Sequence, residues 1–467
     1  MEIARRNFFT IKGPVRPELF FDRSEILEFF TRAMELESFD VLIALIAPFK
    51  FGKTSALLKL HGIAKKYDRV IPILLRLNLV SMPMHVMIRG LSRALNVDFT
   101  KYMRDVKKGR MDMYEVFQRI NDELERRDLW VILFIDEFQD LARLVKAEGF
   151  FERLDDKFVF NFIRGVVEEF RFGLVVAGSL IGELMDAIKV WRGRFVEFKP
   201  REFPREDSIR MLVELSRLSG MQISEDLAEY IAVIMNDHPF HMQLFGYYLV
   251  DEGKTDEETI EKVRRKVRDF LVGYYDAKML EVMRMSPRAM EILERATSGL
   301  RTSELSRDDI ETVVELERAG YLVKMNDIYE FYDPMFKRYF IHYISGRPRE
   351  KYLPEYTSEY LVARKLAYEE GFKSVFISLM SWGPFDILLL RPIGKYRGVG
   401  IQVKRAYGEF KINPRIEEDL KSASIKLNII PIIAAVKMPE RKIEYYSIEP
   451  RARAEKLEKL LRVLHTG

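Results

Sequence analysis

The sequence predicts a multidomain α/β chain that begins with a parallel β-sheet. Apolar, strand-like runs near residues 41–47, 70–77, 130–136 and 173–178 alternate with amphipathic, helix-like stretches. That alternation is typical of a parallel sheet with helices on both faces. At 467 residues the chain is too long for one ordinary core, so we expect two to four domains.

The first of these runs ends in a loop suited to binding phosphate. Residues 43–55 read IALIAPFKFGKTS, so an apolar strand leads into Gly52, Lys53 and Thr54 and then into helix-forming residues. In such a loop, backbone N–H groups at the helix start face the phosphates, Lys53 supplies a positive charge and the Thr54 hydroxyl can hold Mg²⁺. The residues predicted to contact a nucleotide are Pro48, Phe49, Lys50, Phe51, Gly52, Lys53, Thr54 and Ser55.

A second motif complements this loop. Leu129–Ile135 is a continuous apolar run, as expected for a strand buried on both faces, and it ends in Asp136 and Glu137. An acid at such a strand end can order Mg²⁺ through water, and the next acid can polarise the attacking water. The two motifs together predict a nucleotide-binding site.

These motifs resemble those of the archaeal STAND ATPases, which are relatives of the AAA+ ATPases. The resemblance covers residues 1–345 and implies ATP with Mg²⁺. It implies that Arg23, in the segment FDRSE, lies near the adenine. It also implies that Ser179, at the end of the strand LVVAGS, and Arg194, in a Gly-Arg pair, sense the γ-phosphate.

The chain departs from that family's pattern at two positions. Ala47 replaces the first glycine of the loop, which alanine tolerates where φ is negative. Asp237, in the sequence DHP, replaces the glycine of the family's Gly-x-Pro lid motif. ATP rather than GTP is expected from the resemblance, since no guanine-reading Asn-Lys-x-Asp stands in a suitable place.

The composition narrows the class of protein. The chain has no cysteine, which excludes disulfides, thiolate zinc sites and cysteine nucleophiles, and six scattered histidines make a metal cluster unexpected. No apolar run reaches the roughly 18 residues that a membrane span needs, and no secretory signal is visible. Charged residues make up 32%, a balance seen in heat-adapted proteins. We expect a cytoplasmic protein of a thermophile.

Four segments are predicted along the chain. They are a nucleotide-binding core over residues 1–200, a helical lid over 201–280, a winged helix over 281–347 and a C-terminal domain over 351–467, after a linker at 345–354. The winged helix is expected from a helix at 286–296, a short second helix starting at Thr302, a third helix at 308–319 and a hairpin turning at Asn326-Asp327. Its third helix carries five acids and one arginine, which favours packing or regulation over DNA reading.

The C-terminal segment holds the basic excess of the chain. Residues 351–467 contain 21 Lys and Arg against 14 Asp and Glu, a net +7, whereas residues 1–350 contain 55 against 58, a net −3. A solvated surface could explain this segregation, but a basic domain also suits a phosphate-backbone partner.

The same segment carries a second set of polar residues on predicted strands. Asp386 begins one strand, and Gln402 and Lys404 share a face of the next, because side chains alternate along a strand. This order resembles the PD-(D/E)xK nucleases, especially their Gln-x-Lys variants, with Gln402 in place of an acid. The resemblance implies that Asp386 and Gln402 hold Mg²⁺, that Lys404 activates water and that Glu359 contributes from a helix.

The sequence therefore predicts a P-loop ATPase with a helical lid, a winged helix and a restriction-endonuclease-like C-terminal domain that acts on DNA, whether single-stranded, duplex or branched. Two alternatives stay open: a DNA-remodelling motor whose C-terminal domain binds without cutting, and a signalling scaffold that does not use nucleic acid. A homo-oligomer is compatible with each of these, and no membrane partner is expected.

Overall fold

The structure is a computed structural model, and the positions of its residues are described in two stretches. The first covers residues 6–344 apart from 180, 190 and 192. The second covers residues 362–363, 365–366, 370, 372, 375–377, 385–389, 396–406, 409–437 and 442–465. Glu359 and the predicted linker at 345–354 lie outside the described residues.

Backbone packing divides the chain into two compact units. The first comprises residues 1–222, 236–247 and 278–334, and the second comprises residues 223–235, 248–277 and 335–467. The segment predicted as a winged helix thus falls mostly within the first unit, together with the nucleotide-binding core.

The helices and strands are named here in chain order. The helices are α1 Ser24–Glu35, α2 Lys53–Ala64, α3 Pro83–Leu95, α4 Thr100–Lys107, α5 Met113–Arg127, α6 Leu141–Ala147, α7 Asp156–Glu169, α8 Ile181–Lys189, α9 Arg205–Leu218, α10 Glu225–Ile234, α11 Pro239–Glu252, α12 Glu257–Met285, α13 Ala289–Ala296, α14 Arg307–Arg318, α15 Pro334–Ile344, α16 Pro414–Leu427 and α17 Leu457–His465. The strands are β1 Leu42–Ile46, β2 Val70–Arg76, β3 Trp130–Asp136, β4 Phe172–Gly178, β5 Val196–Phe198, β6 Leu300–Arg301, β7 Leu322–Met325, β8 Ile328–Phe331, β9 Val375–Ile377, β10 Ile387–Leu389, β11 Gly398–Ala406, β12 Ile429–Lys437, β13 Lys442–Ser447 and β14 Ala452–Ala454.

The first unit is built on a five-stranded parallel sheet, as the sequence predicts. Its strand order is β2-β3-β4-β1-β5, and each neighbouring pair is parallel. The order brings the ends of β1, β3 and β4 to one edge, although they are far apart in sequence. The carboxyl ends of parallel strands therefore form one polar edge above the core.

The strands of this sheet are buried on both faces, which explains why their sequences are continuous apolar runs. In β3, Val131, Leu133 and Ile135 join the core on one face of the sheet, while Ile132 and Phe134 join the core on the other. Alternate residues of a strand point to opposite faces, so a strand covered on both sides needs apolar residues throughout. The unbroken run ends only at Asp136, where the strand leaves the core.

A smaller sheet in the first unit has the order β6-β8-β7. Its hairpin, β7 to β8, turns at residues 326–327 as predicted, and Asn326 has φ +56°, which Asn tolerates better than most residues. The acidic helix α14 precedes this hairpin and packs on α13 and β7.

The second unit contains a six-stranded mixed sheet in the order β14-β13-β12-β11-β10-β9. Strands β9, β10 and β11 form an antiparallel meander, and β12 returns parallel to β11 after helix α16. Val399, Ile401 and Val403 of β11 face one core, so the residues between them face the other side of the sheet.

No helix among the described residues is both long enough and apolar enough to cross a membrane.

Candidate functional site

A cavity of about 300 Å³ opens in the first unit at the carboxyl edge of the parallel sheet. The loop between β1 and α2 forms its floor, and the N-terminal segment and the start of α11 line the opposite side. The polar residues lining it include Arg23, Lys50, Lys53, Thr54, Ser55, Arg76, Asn78, Asp136, Glu137, Ser179 and Gln243. The cavity thus collects most of the residues predicted for the nucleotide site.

The loop adopts a conformation that its residue types allow at two positions and tolerate at a third. Gly52 has φ +84° and immediately precedes α2, in the left-handed region that glycine favours. Lys50 also has a positive φ, +74°, whereas Ala47 does not. Alanine can therefore occupy the place of the family's first loop glycine without backbone strain.

Lys53 is the buried cation of the loop. Its ammonium donates to the carbonyl of Pro48 at 2.7 Å, and the residue is 5% exposed. Burial lowers the pKa of Lys53 from 10.5 to about 8, against the opposing pull of the Glu137 and Asp136 carboxylates. A phosphate entering the cavity would replace the Pro48 carbonyl as the partner of this charge.

Thr54 and Asp136 face each other across the cavity floor. The Thr54 hydroxyl lies 3.0 and 3.2 Å from the two carboxylate oxygens of Asp136. Burial raises the pKa of Asp136, while the Thr54 hydrogen bond lowers it. One hydroxyl and one carboxylate, both oxygen ligands, suit Mg²⁺, which is usually held by one or two carboxylates together with substrate phosphates and water.

Glu137 is held by several donors at the end of β3. The backbone N–H and hydroxyl of Ser179 donate to its carboxylate at 3.1 and 2.9 Å, and the Gln139 amide donates at 2.8 Å. Gly178 makes this possible, because a Cβ there would lie 2.3 Å from the Gln139 side-chain oxygen. Ser179 thus contacts the predicted water-polarising acid directly.

Arg23 also lines the cavity and is hydrogen-bonded to the surrounding backbone. Its guanidinium donates to the carbonyls of Arg201 at 2.7 Å and Phe51 at 3.2 Å, and it pairs with Asp22. It also lies 5.0 Å from the centre of the Phe203 ring. These contacts place Arg23 beside the Phe203 ring and against the loop that carries Phe51.

The predicted lid motif has a glycine-like backbone although it lacks glycine. Asp237 has φ +52°, and its carboxylate accepts two hydrogen bonds from Arg205, at 2.8 and 2.7 Å. Aspartate is among the residues that tolerate this region, and a bidentate arginine pair fixes it there. The adjoining Pro239 lines the cavity.

Arg194 is not among the cavity-lining residues. Its side chain is 58% exposed, and its guanidinium pairs with Glu168 of α7 at 2.6 Å. The structure therefore does not bring Arg194 to Ser179 and Lys53, because the residue precedes β5 and is directed towards α7. A phosphate contact would require this ion pair to open.

The second predicted site lies in the mixed sheet of the second unit. The side-chain amide of Gln402 donates to Asp386 at 2.6 Å, and the N–H of Val403 donates to the same oxygen at 2.7 Å. Lys404 occupies the same face of β11 as Gln402, two residues on. Among the described residues, no three His, Asp or Glu side chains are grouped to hold a metal.

Three residues near the first cavity were not predicted from the sequence. Arg76 lines the cavity at the end of β2, Gln139 contacts Glu137, and the Tyr332 hydroxyl donates to the carbonyls of Pro200 and Ile46 at 3.0 and 3.3 Å. Of these three residues, Arg76 could have been predicted, because it is a charged residue at the end of an otherwise apolar strand.

Comparison with solved structures assigns the fold of this region. The structure matches a Walker-type ATPase of Pyrococcus abyssi with a TM-score of 0.52 and 19% sequence identity, over 72% of this chain and 99% of that one. The parallel-sheet region has the fold of a P-loop ATPase. No protein-family model matches the sequence, and neither does any curated protein.

Two further solved structures align less closely. The Aeropyrum pernix ORC2 protein, in ADPNP–ADP complexes, aligns with a TM-score of 0.46 and 12% identity over 70% of this chain and 94% of that one. The Thermotoga maritima RuvB Holliday junction branch migration motor aligns with a TM-score of 0.35 and 14% identity over 68% and 95%.

Proposed function

We propose that the chain binds and hydrolyses ATP with Mg²⁺, as an ATPase of the STAND class. The observation that carries this proposal is the convergence of Lys53, Thr54, Asp136 and Glu137 in one cavity at the carboxyl edge of a P-loop sheet. Each of these residues supplies a group that phosphate transfer needs: a cation, a metal ligand, a second metal-ordering acid and a group that can orient water.

The residues would divide the work along the phosphate chain. N–H groups at the start of α2 and the Lys53 ammonium would bind phosphate oxygens, with Lys53 exchanging its Pro48 partner for the substrate. Thr54 and Asp136 would hold Mg²⁺, which neutralises charge developing on the phosphates. Glu137, fixed by Ser179 and Gln139, would orient the attacking water.

The base end of the cavity has the chemistry of an adenine site without a guanine-specific motif. Arg23 and Phe203 form one side, and Phe240 and Gln243 of α11 lie on the same cavity lining. The Gln243 side-chain oxygen already accepts from the backbone N–H of Thr10 at 2.8 Å. An aromatic, largely apolar wall favours stacking of a purine ring, and the resemblance to STAND proteins supports adenine.

Nucleotide binding and turnover test this proposal directly. We expect the wild type to bind a fluorescent ATP analogue in Mg²⁺ and to release phosphate from ATP faster than from GTP. Lys53→Ala should weaken binding at least tenfold and abolish turnover, because it removes the buried phosphate-facing charge. Lys65→Ala, an exposed lysine just after the same helix, serves as the matched control.

Either of two results would refute the ATPase proposal. One is a wild type that binds no nucleotide at millimolar concentration. The other is turnover that survives Lys53→Ala unchanged, since the activity would then come from elsewhere in the preparation.

We further propose that nucleotide state controls the segment expected to form a winged helix. The order α13, β6, α14 and the β7–β8 hairpin supports that assignment. Tyr332, just after the hairpin, packs edge-on against Phe51 of the loop with ring centres 5.3 Å apart. If the loop moved when phosphate bound, the contact between Phe51 and Tyr332 would transmit that movement to the hairpin.

A second candidate function, action on DNA, is favoured by the second unit. An antiparallel meander followed by a helix and a parallel strand places Asp386 beside Gln402, with Lys404 on the same face. That arrangement, and the +7 charge of residues 351–467, support a PD-(D/E)xK nuclease-like domain that binds DNA. Asp386 is the carboxylate that the described part of this site would give to Mg²⁺.

Cleavage of end-labelled single-stranded, duplex and branched DNA tests this candidate. The reactions would contain Mg²⁺ or Mn²⁺, with and without ATP, and would compare wild type with Lys404→Ala and with the exposed-lysine control Lys411→Ala. Cutting that is lost only in Lys404→Ala would support an ATP-regulated nuclease.

The other outcomes separate the alternatives. DNA binding without cutting would make the domain a clamp, as in a remodelling motor, in which case branched DNA should stimulate ATP turnover. No DNA affinity even at low salt would leave a nucleotide-controlled scaffold, because a phosphate-backbone binder gains affinity as salt falls.

A further inference from the structure

Arg76 ends strand β2 at the same sheet edge as the metal-ordering acid. The register pairs Arg76 directly with Asp136 of the neighbouring strand, so the two side chains lie on one face of the sheet. Both residues line the cavity together with Thr54 and Glu137. A cation thus stands next to the residues proposed to hold Mg²⁺ and to orient water.

The charge of Arg76 is only partly matched in the structure. Its Nε lies 3.8 Å from an oxygen of Asp136, which is beyond hydrogen-bonding distance, and the buried Nε has no hydrogen-bond partner. The side chain is 27% exposed and Asp136 is 3% exposed. A buried guanidinium N–H that has no acceptor within the protein is able to donate to an oxygen of a ligand in the cavity.

The cavity is also lined by Lys12, Lys50, Arg23 and Lys53, and the Lys50 ammonium lies 4.1 Å from the centre of the Phe240 ring. Arg23 is bound to two backbone carbonyls and to Asp22 at the aromatic end. Lys53 lies at the start of α2, next to the loop. Arg76 lies instead at the end of β2. In the order β1-β4-β3-β2, this strand lies beyond β3, which carries Asp136, as seen from β1 and the loop that follows it.

The strand order suggests which end of a bound nucleotide Arg76 would meet. A phosphate chain held by the loop after β1 and running past Ser179 towards Asp136 would bring its terminal phosphate nearest to β2. The planar fork of a guanidinium matches two phosphate oxygens, and it keeps its charge at any physiological pH.

We infer that Arg76 binds the terminal phosphate of ATP and so makes the site distinguish ATP from ADP. This inference rests on the proposed function, because it assigns a residue to the same nucleotide site. A purely structural role, in which Arg76 only balances the charge of Asp136, would affect ATP and ADP equally through the shared metal.

The test measures affinities for ADP and for a non-hydrolysable ATP analogue, both in Mg²⁺. The variants are Arg76→Gln, which removes the charge, and Arg76→Lys, which keeps the charge but loses the fork. Arg143→Gln is the matched control, since Arg143 is 68% exposed and pairs with Asp140 on the surface.

We expect Arg76→Gln to weaken the ATP analogue by roughly 10- to 30-fold while ADP binding stays within about twofold. Turnover should fall by roughly a hundredfold or more, since arginines that contact the transferred phosphate contribute strongly to the rate. Arg76→Lys should recover part of the ATP affinity, and Arg143→Gln should match the wild type.

Parallel loss of ATP and ADP affinity, or no loss of either, would overturn the role of Arg76. Melting of the variants without nucleotide separates these outcomes from misfolding, and Arg76→Lys provides the readout if Arg76→Gln does not fold. A wild type that binds neither nucleotide would instead refute the proposed function, so the two failures are distinguishable.

Discussion

The two candidate sites differ in how their acidic residues are partnered. In the proposed nucleotide cavity of about 300 Å³, Asp136 and Glu137 lie among two cations and several hydroxyl and amide donors. In the mixed sheet, Asp386 is bound by the Gln402 amide and the Val403 N–H. The first arrangement is prepared to receive a charged ligand, whereas in the second a neutral amide occupies a position where an acid would strengthen metal binding.

That difference has a physical consequence for how each site responds to its ligand. Charges held in a buried cavity interact strongly, so each one changes the protonation and orientation of its neighbours. Asp386 accepts hydrogen bonds from Gln402 and Val403, and a metal ion that bound its carboxylate would compete with those donors. We therefore expect the proposed nucleotide cavity to give the larger response to its ligand.

Among the changes that test this comparison, Glu137→Gln should have the largest effect, which is on ATP turnover. We expect a fall of roughly 10²- to 10³-fold with ATP binding retained, because the amide can accept the Ser179 hydrogen bonds but cannot act as a base. Steady-state phosphate release and nucleotide titration measure the two quantities. Glu123→Gln on α5 is the matched control, because Glu123 lies outside the cavity and pairs with Arg126 and Arg127 of the same helix.

The comparison between the two regions would fail if Glu137→Gln altered DNA affinity without nucleotide present. The sites would then be linked through the fold rather than through bound ATP. Unchanged turnover would instead remove Glu137 from the chemistry.

The second largest expected effect is a pH dependence of nucleotide affinity at the first cavity. The free protein loses the Lys53 proton above its pKa of about 8, whereas a phosphate-bound Lys53 keeps it, so binding takes up a proton in that range. Nucleotide affinity should therefore be flat below pH 8 and fall about tenfold per pH unit above it. Titrations of an ADP analogue between pH 6.5 and 9.5 measure this slope.

The Lys53→Met protein should bind nucleotide weakly, and its affinity should not fall as pH rises above 8. A wild-type slope that persists in Lys53→Met would assign the proton to another group. The free energy of unfolding should change in the opposite direction to the nucleotide affinity. Between pH 8 and 10.5 the unfolded chain holds the Lys53 proton and the folded chain does not. The contribution of Lys53 to stability therefore increases as pH rises through that interval.

Much of the nucleotide cavity was predictable from the sequence because its signals are local. The loop residues and the acids after β3 follow apolar runs, and the strands observed at 42–46, 70–76, 130–136 and 172–178 match the predicted ones closely. The alternation of side chains along a strand also predicted that Gln402 and Lys404 share a face of β11. The neighbouring strand β10 follows Asp386, whose carboxylate accepts a hydrogen bond from Gln402.

Other features depend on strand order and register, which local sequence does not encode. Arg76 meets Asp136 only because β2 lies next to β3 in that register. Tyr332 reaches the carbonyl of Ile46 across 286 residues of chain. Arg194 was expected near the phosphates from resemblance alone, but α7 supplies Glu168 as a nearer partner.

The second site can be sharpened by restoring an acid. We expect Gln402→Glu to destabilise the metal-free protein by about 1–2 kcal/mol, because a donor 2.6 Å from Asp386 becomes a like charge. Mn²⁺ should recover that loss and bind more tightly than to the wild type. Thermal melting with and without Mn²⁺ measures both effects.

Gln402→Ala separates the two causes, since it removes the donor without adding charge. A Gln402→Glu protein whose stability is unaffected by Mn²⁺ would show that these two side chains do not share a metal. The second site would then differ from the first in kind, as a structural hydrogen-bonded pair.

The smallest expected effect compares one hydrogen-bonded tyrosine hydroxyl in each unit. Tyr332→Phe removes the donor to Pro200 and Ile46 at the root of the phosphate loop, and Tyr446→Phe removes the 2.7 Å donor to Glu444 in the mixed sheet. Each should destabilise its unit by about 1 kcal/mol in denaturant titrations, since one O–H donor is lost in each case.

Their effects on nucleotide affinity should nevertheless differ. Tyr332 contacts Phe51 and the end of β1, so its loss should loosen the loop and weaken ATP binding by two- to fivefold, while Tyr446→Phe leaves affinity unchanged. Equal affinities in both variants would mean that the loop holds its conformation without this support. The hairpin that carries Tyr332 would then have no route, through this contact, by which to sense the nucleotide.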